Sequence, residues 1–231
     1  MSPRMRHLLL ALIAPALLAP ADAARGDAVE TPAHAVEATL PAEGFEAPVE
    51  IRRYAPLIVA EVTVAASDRR AAASAGFRPL ANYIFGANAP GQEIAMTAPV
   101  VTVPAAPGGA MEGGDGARIA MTAPVTTTPV EEGDGGHVVR FTMPARWTMD
   151  SLPAPLDPAV RLRALPERRV AALAWTGDRS AEAVERAGAA LDAALAAAGI
   201  APAGPLAVAG YDGPSTPEDR KRWEVWRAVE G

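Results

Sequence analysis

The sequence predicts an α+β domain in which a strand–strand–helix–strand unit occurs twice and curls into a distorted β-barrel, or a strongly curved sheet, with two helices packed against it. Three observations predict it. Strand-like and helix-like patterns follow one another as strand, strand, helix, strands, and that order is then replayed. Residues 160–163 (Val-Arg-Leu-Arg) echo residues 49–52 (Val-Glu-Ile-Arg), and 169–175 echo the β-branched run at 57–64. Half of the 231 residues are apolar, which supplies a sizeable core although much of it is alanine.

The elements follow in order. Residues 49–51 and 57–64 read as two strands joined by Tyr54-Ala55-Pro56. Ser67-Asp68 offers an N-cap for a helix towards Phe85, with Phe77, Leu80, Ala81 and Ile84 on one apolar face. Pro79 removes a backbone donor inside that pattern, so with Gly76 it is expected to kink or split the helix. Two near-identical strands are then expected at 94–100 and 119–125, each reading Ile-Ala-Met-Thr-Ala-Pro-Val, around the glycine-rich loop 108–116. In each, Ile and Met face the core, Thr faces out, and Pro ends the ladder; Met96 and Met121 could equally line a pocket wall. A turn at 131–136 leads to a half-buried strand at 137–143, and a proline-rich connector covers 150–158. In the second unit a helix follows Ser180, carries Val184, Ala187, Leu191, Leu195 and Ala198 on one face, and stops at Gly199. Strands at 206–211 and 223–229 complete the chain.

The N-terminus predicts the compartment. Arg4, Arg6 and His7 precede an apolar run at 8–19, and Ala21-Asp22-Ala23 supplies a small-x-small cleavage site, so residues 1–23 read as a secretory signal peptide and the protein as periplasmic or secreted. The apolar run is short of the roughly 20 residues that span a bilayer, and no later stretch is long enough. Residues 24–44, rich in Ala, Pro, Glu and Thr, read as a flexible leader, leaving residues 45–231 as the folded domain.

Composition narrows the function. A net charge of −6, with a single lysine at Lys221 and arginines scattered among carboxylates, argues against a nucleic-acid surface. The absence of cysteine excludes disulfides, thiolate ligands, cysteine nucleophiles and iron–sulfur sites. No Gly-x-Ser-x-Gly elbow surrounds any serine. Glu224, between Trp223 and Trp226, is the one carboxylate in an aromatic setting, where desolvation could raise its pKa; the plainer reading pairs it with Arg222 or Arg227. Of three histidines, His7 leaves with the signal peptide, His34 falls in the leader and His137 follows a Gly-Gly turn.

Several blocks together resemble one family. Residues 77–88 (Phe-Arg-Pro-Leu-Ala-Asn-Tyr-Ile-Phe-Gly-Ala-Asn), the first Met-Thr-Ala-Pro strand, residues 139–144, Arg168-Arg169-Val170-Ala171, and Gly210-Tyr211-Asp212-Gly213-Pro214 with Thr216-Pro217 look like the SOUL haem-binding family, in order and over nearly the whole mature chain. The resemblance implies a twisted barrel with pseudo-two-fold helices and a shallow cleft for haem or another tetrapyrrole. It would put Phe77, Leu80, Ala81 and Ile84 on the helix side, Tyr211 on the loop side, and Arg78 as the nearby cation. The tetrapyrrole would be held non-covalently, without a histidine axial ligand, and no other metal is expected. The same fold is shared with gyrase-inhibitor-like small-molecule-binding domains, some of them hydrolases with a carboxylate in an aromatic cavity; that alternative would make Glu224 the working residue.

Overall fold

The computed structural model describes residues 29–89, 117–130, 136–213 and 215–230. The segment expected to be a signal peptide, the first Met-Thr-Ala-Pro copy with Met96, and the glycine-rich stretch 108–116 lie outside them. Strands β1 (His34–Leu40), β2 (Val49–Tyr54) and β3 (Leu57–Ala65) lead into helix α1 (Arg69–Ile84); β4 (Val125–Pro129) and β5 (Gly136–Thr142) follow. The second half repeats the sequence of types: β6 (Arg161–Leu165), β7 (Arg168–Thr176), α2 (Ala181–Ala197), β8 (Pro202–Gly210) and β9 (Arg222–Val229). All ladders among these strands are antiparallel, in one nine-stranded sheet of order β1-β2-β7-β9-β8-β4-β5-β3-β6.

That order forces the curl. β2 and β3 are six positions apart in the sheet, a flat distance of roughly 29 Å at ~4.8 Å per strand. Only Ala55 and Pro56 join them, and two residues reach at most about 11 Å between flanking Cα atoms. Pro166 and Glu167 impose the same constraint between β6 and β7. The sheet therefore bends until its ends approach; among the described residues no hydrogen-bonded ladder joins β1 to β6, so the described sheet is a curled half-barrel.

The helices pack on one face. Asp68 caps α1 by accepting from the Ala71 amide, and Ser180 caps α2 by accepting from that of Ala183. α1 covers Ala60, Val62, Val139 and Phe141, while α2 covers Ile51, Leu173, Val208 and Val225. Burial of these two apolar faces is the main stabilising term, at about 25 cal/mol per Å² of apolar surface. Among the described residues no helix is long and apolar enough to cross a membrane.

Four expectations change. α1 runs unbroken across Pro79, the residue before its apolar contact Leu80, because the packed face holds the turn that lacks a hydrogen bond. Residues 34–40, expected within a flexible leader, form β1; they have the alternation of a strand, and β2 offers them an open edge. The second Met-Thr-Ala-Pro copy is not a strand: β4 begins only at Val125, Met121 is exposed, and Thr122 is buried. Its hydroxyl donates to the Thr142 carbonyl, which reverses the expected facing. Glu224 pairs with neither expected arginine, since Arg222 bonds Asp212 and Arg227 bonds Asp192.

Candidate functional site

The face of the sheet without helices is the inside of the curl, and it mixes charged side chains with a small apolar cluster. Register places its side chains in rows. Ala174, Glu224, Ala209, Thr126, Arg140 and Glu61 follow one another across six strands, and Glu50, Ala172, Trp226 and Ala207 form a second row. The alanines on either side of Glu224 leave room for larger groups from other strands to reach it.

Four donors converge there. Arg52 grips the Glu224 carboxylate with both terminal nitrogens, Nη1 to Oε2 at 3.0 Å and Nη2 to Oε1 at 2.9 Å. Tyr211 donates its phenol to Oε2 at 2.6 Å, and Trp226 donates Nε1 to the same oxygen at 2.5 Å. Arg52 also reaches the Tyr54 hydroxyl at 3.2 Å and the Glu50 carboxylate at 2.7 Å. Burial alone would pull the Arg52 pKa down, but its bonds to Glu224 outweigh that and raise it. Burial, then the Glu224 charge, push the Tyr211 phenol well above the usual tyrosine range. The Glu224 carboxylate is thus held in place by four donors, three on Oε2 and one on Oε1.

Beside this network, where β7 ends and β9 begins, lies a pocket of about 510 Å³ walled by Phe45, Trp175, Tyr211, Trp223, Arg222 and Glu224. The polar tips of its rings are already spent. Trp175 Nε1 donates to the Asp178 carbonyl at 2.7 Å, and Trp223 Nε1 donates to that of Gly177 at 3.0 Å. Gly210 is tied to this wall by contact, because a Cβ there would come 2.6 Å from the Trp223 ring. Arg222 stands 5.7 Å from the centre of the Tyr211 ring and is held by Asp212. Aromatic faces with satisfied edges, beside the Arg222 guanidinium and the Glu46 and Glu224 carboxylates, suit a flat, largely apolar ligand. Among the described residues no group of three or more His, Asp or Glu side chains is placed to hold a metal.

The structure does not gather the six expected site residues. Leu80, Ala81 and Ile84 are fully buried in the core under α1, Phe77 packs beside them with its ring 5.2 Å from that of Phe141, and Arg78 is exposed. Tyr211 belongs instead to the inner cluster with Tyr54, Val170, Ala172, Ala209 and Trp226. The apolar stripe on α1 is thus the face that binds the sheet. Sequence reasoning missed Arg52, Phe45 and Trp175. Strand alternation carried a signal for the first: Val49 and Ile51 face the helix, so Arg52 must point inward, where a charge needs a partner.

The SOUL heme-binding protein model matches residues 29–112 and 108–228, which together span most of the chain. The chain belongs to the SOUL heme-binding protein family. No curated protein matches it. Among solved structures, the EcmrR C-terminal domain shares 12% identity at a TM-score of 0.53, covering 79% of this chain and 96% of that one. The EcmrR chain in its complex with DNA gives 12% identity and 0.52, covering 79% of this chain and 57% of that chain. A hydrolase from Listeria innocua gives 11% identity and 0.49, covering 79% and 91%. The two EcmrR likenesses show that this SOUL chain shares an architecture with them, a curled antiparallel sheet carrying two helices.

Proposed function

We propose that this protein is an exported binding protein for haem or a related tetrapyrrole, acting in carriage, buffering or scavenging, with its ligand in the aromatic pocket beside Tyr211. The observation that carries the ligand class is the family match over both halves of the chain. The pocket supports the placement: about 510 Å³ lies within the ~300–1,000 Å³ of small-molecule sites. Phe45, Trp175, Tyr211 and Trp223 would bury the ring, and Arg222 would meet a carboxylate at the rim. The order of Arg4, Arg6, the apolar run and Ala21-Asp22-Ala23 supports export.

The residues fit the ring better than the iron. Tyr211 has donated its phenol to Glu224, His34 lies on the exposed strand β1 against Tyr54, and His137 lies in β5. When bound, the tetrapyrrole supplies a large flat apolar face, and burial of that face rather than a bond to iron is the main attraction.

We infer further that the two halves are copies of one unit. Exchanging β2 with β6, β3 with β7, β4 with β8 and β5 with β9 reverses the order of those eight strands without otherwise changing it. Arg52 and Arg163 hold equal positions in the exchange, and each has a carboxylate, Glu224 at 2.9 Å and Glu61 at 3.7 Å.

The test is a hemin titration followed at the Soret band. Tyr211→Ala is expected to weaken binding ~5–30-fold, the loss of one aromatic wall, while Phe77→Ala stays within about twofold of the parent. Parent-like binding by Tyr211→Ala with weakening by Phe77→Ala would move the ligand to α1. No saturable Soret change in the parent would end the tetrapyrrole reading.

A further inference from the structure

Tyr211 walls the aromatic pocket from just past the end of β8, where the chain turns away from the sheet. Its backbone is fastened by a single bond there, from its amide to the Arg222 carbonyl at 3.2 Å. Its ring is half-buried, and among the described residues its hydroxyl has one acceptor, Glu224 Oε2 at 2.6 Å. The Arg222 guanidinium beside the ring is taken up by Asp212. The far end of the wall therefore stands where Glu224 stands.

Glu224 is in turn fixed by residues that do not line the pocket. Trp226, two positions on along β9, brings its Nε1 to the same Oε2. Arg52 reaches over from β2, across β7, where Ala172 and Ala174 add only a methyl group each to the shared face. Every nitrogen of its fork is used: Nε on Glu50 at 2.7 Å, Nη1 on the Tyr54 hydroxyl at 3.2 Å and on Glu224 at 3.0 Å, Nη2 on Glu224 at 2.9 Å. Arg52 is 7% exposed and Glu224 6%, so water is poorly placed to replace either partner. A lysine at position 52 would keep the charge but offer one ammonium in place of a planar fork.

We propose that Arg52 is a positioning residue for the Tyr211 pocket: it holds the Glu224 carboxylate where the Tyr211 hydroxyl meets it, and so sets the aromatic wall before a ligand arrives. The role rests on the reading that the ligand occupies the pocket beside Tyr211. A charge-assisted bond to a fixed acceptor orders the ring in advance, whereas a ring without that bond has to be ordered by the ligand, which lowers affinity. The first half of the chain thus tunes a pocket whose Tyr211, Arg222, Trp223 and Glu224 come from the second.

A double-variant cycle in hemin affinity tests this, because Tyr211→Phe keeps the ring and removes the hydroxyl through which Arg52 acts. Arg52→Lys is expected to weaken hemin about three- to tenfold in the parent background, the effect of ordering one side chain, and to stay within about 1.5-fold in the Tyr211→Phe background. A general loosening of the fold would weaken both backgrounds alike. Thermal melting checks that Arg52→Lys folds; if it does not, Trp226→Phe, which removes another donor to the same oxygen, carries the cycle with the same expectation. Should hemin not bind the parent, the tetrapyrrole reading falls, and the cycle run with Nile red, a flat uncharged dye, decides the positioning role by itself. Equal weakening in both backgrounds, no weakening in either, or no saturable binding of either probe would overturn the proposal.

Discussion

Arg52 and Glu224, 172 positions apart in the chain, form a bidentate ion pair inside the curl with both side chains only 9% exposed. Such a pair contributes little net stability, yet removing one member strands the other without solvent or counter-charge. Arg52→Met should cost ~3–5 kcal/mol, and Arg52→Met with Glu224→Leu should recover much of that loss. Urea denaturation of the single and double variants checks it; equal loss in both would mean that the pair does not act as a unit.

Gly76 sets two effects against each other. Alanine is the better helix former by about 1 kcal/mol, so a free helix would gain from Gly76→Ala. Here the new Cβ would come 2.6 Å from Val139 Cγ2 and 2.7 Å from its Cβ, which no rotation of Val139 can relieve. Overpacking of this kind costs ~1–3 kcal/mol and should win, so Gly76→Ala is expected to lower the melting temperature. A rise would show that α1 can shift off β5.

The three tyrosines carry an alkaline signature. Burial raises the phenol of Tyr83 to about 12, and Tyr54 and Tyr211 are raised as well. A group whose folded pKa is raised contributes stability that is complete below its unfolded pKa of about 10 and is lost as pH climbs through the folded value. Phenolate absorbance should therefore stay low until the protein unfolds in alkali. A tyrosine ionising near pH 10 in the folded state would contradict the burial of the inner cluster.

Asp212 gives the opposite sign. Its hydrogen bonds to Arg222 hold the carboxyl below the usual aspartate range. That contribution is present above the unfolded pKa of about 3.9 and disappears as pH falls through the lower folded value. Asp212→Asn should therefore lose less stability than the parent between neutral pH and about pH 3. Thermal melts across that range decide the matter.

Neither His34 nor His137 lines the Tyr211 pocket, so replacing both with alanine should leave hemin affinity within about threefold. A hundredfold loss with a moved Soret band would identify an axial ligand among them.

The sequence made the elements legible where the signal was local. The helices at 69–84 and 181–197 follow from their caps and apolar stripes, and the succession of strands and helix along the second half is anticipated by the echo of residues 49–52 in 160–163. What lay hidden depended on partners far away in the chain. β1 is a strand because β2 has an edge to offer, not because 34–40 is apolar. The apolar stripe on α1 looks the same whether it meets a sheet or a ligand, so Leu80, Ala81 and Ile84 could not be told from pocket residues. Tyr211 stands out in the sequence because its turn is distinctive, whereas Arg52, its neighbour through Glu224, comes from the other half of the chain.

The two short links also interlock the halves. Among the described residues β6 pairs with β3 alone, and β2 leans on β7, so the opening strand of each half is lodged in the other half's ladder. A chain cut in the connector between Thr142 and Arg161 would give fragments that each lend a strand and lack one. Such fragments cannot fold as two small domains joined by a tether; they can only complement each other, as the arms of a strand-exchanged dimer do. The intact chain inherits the kinetic consequence: neither half can finish before the other is synthesised, and the late, long-range pairings govern how fast the protein folds.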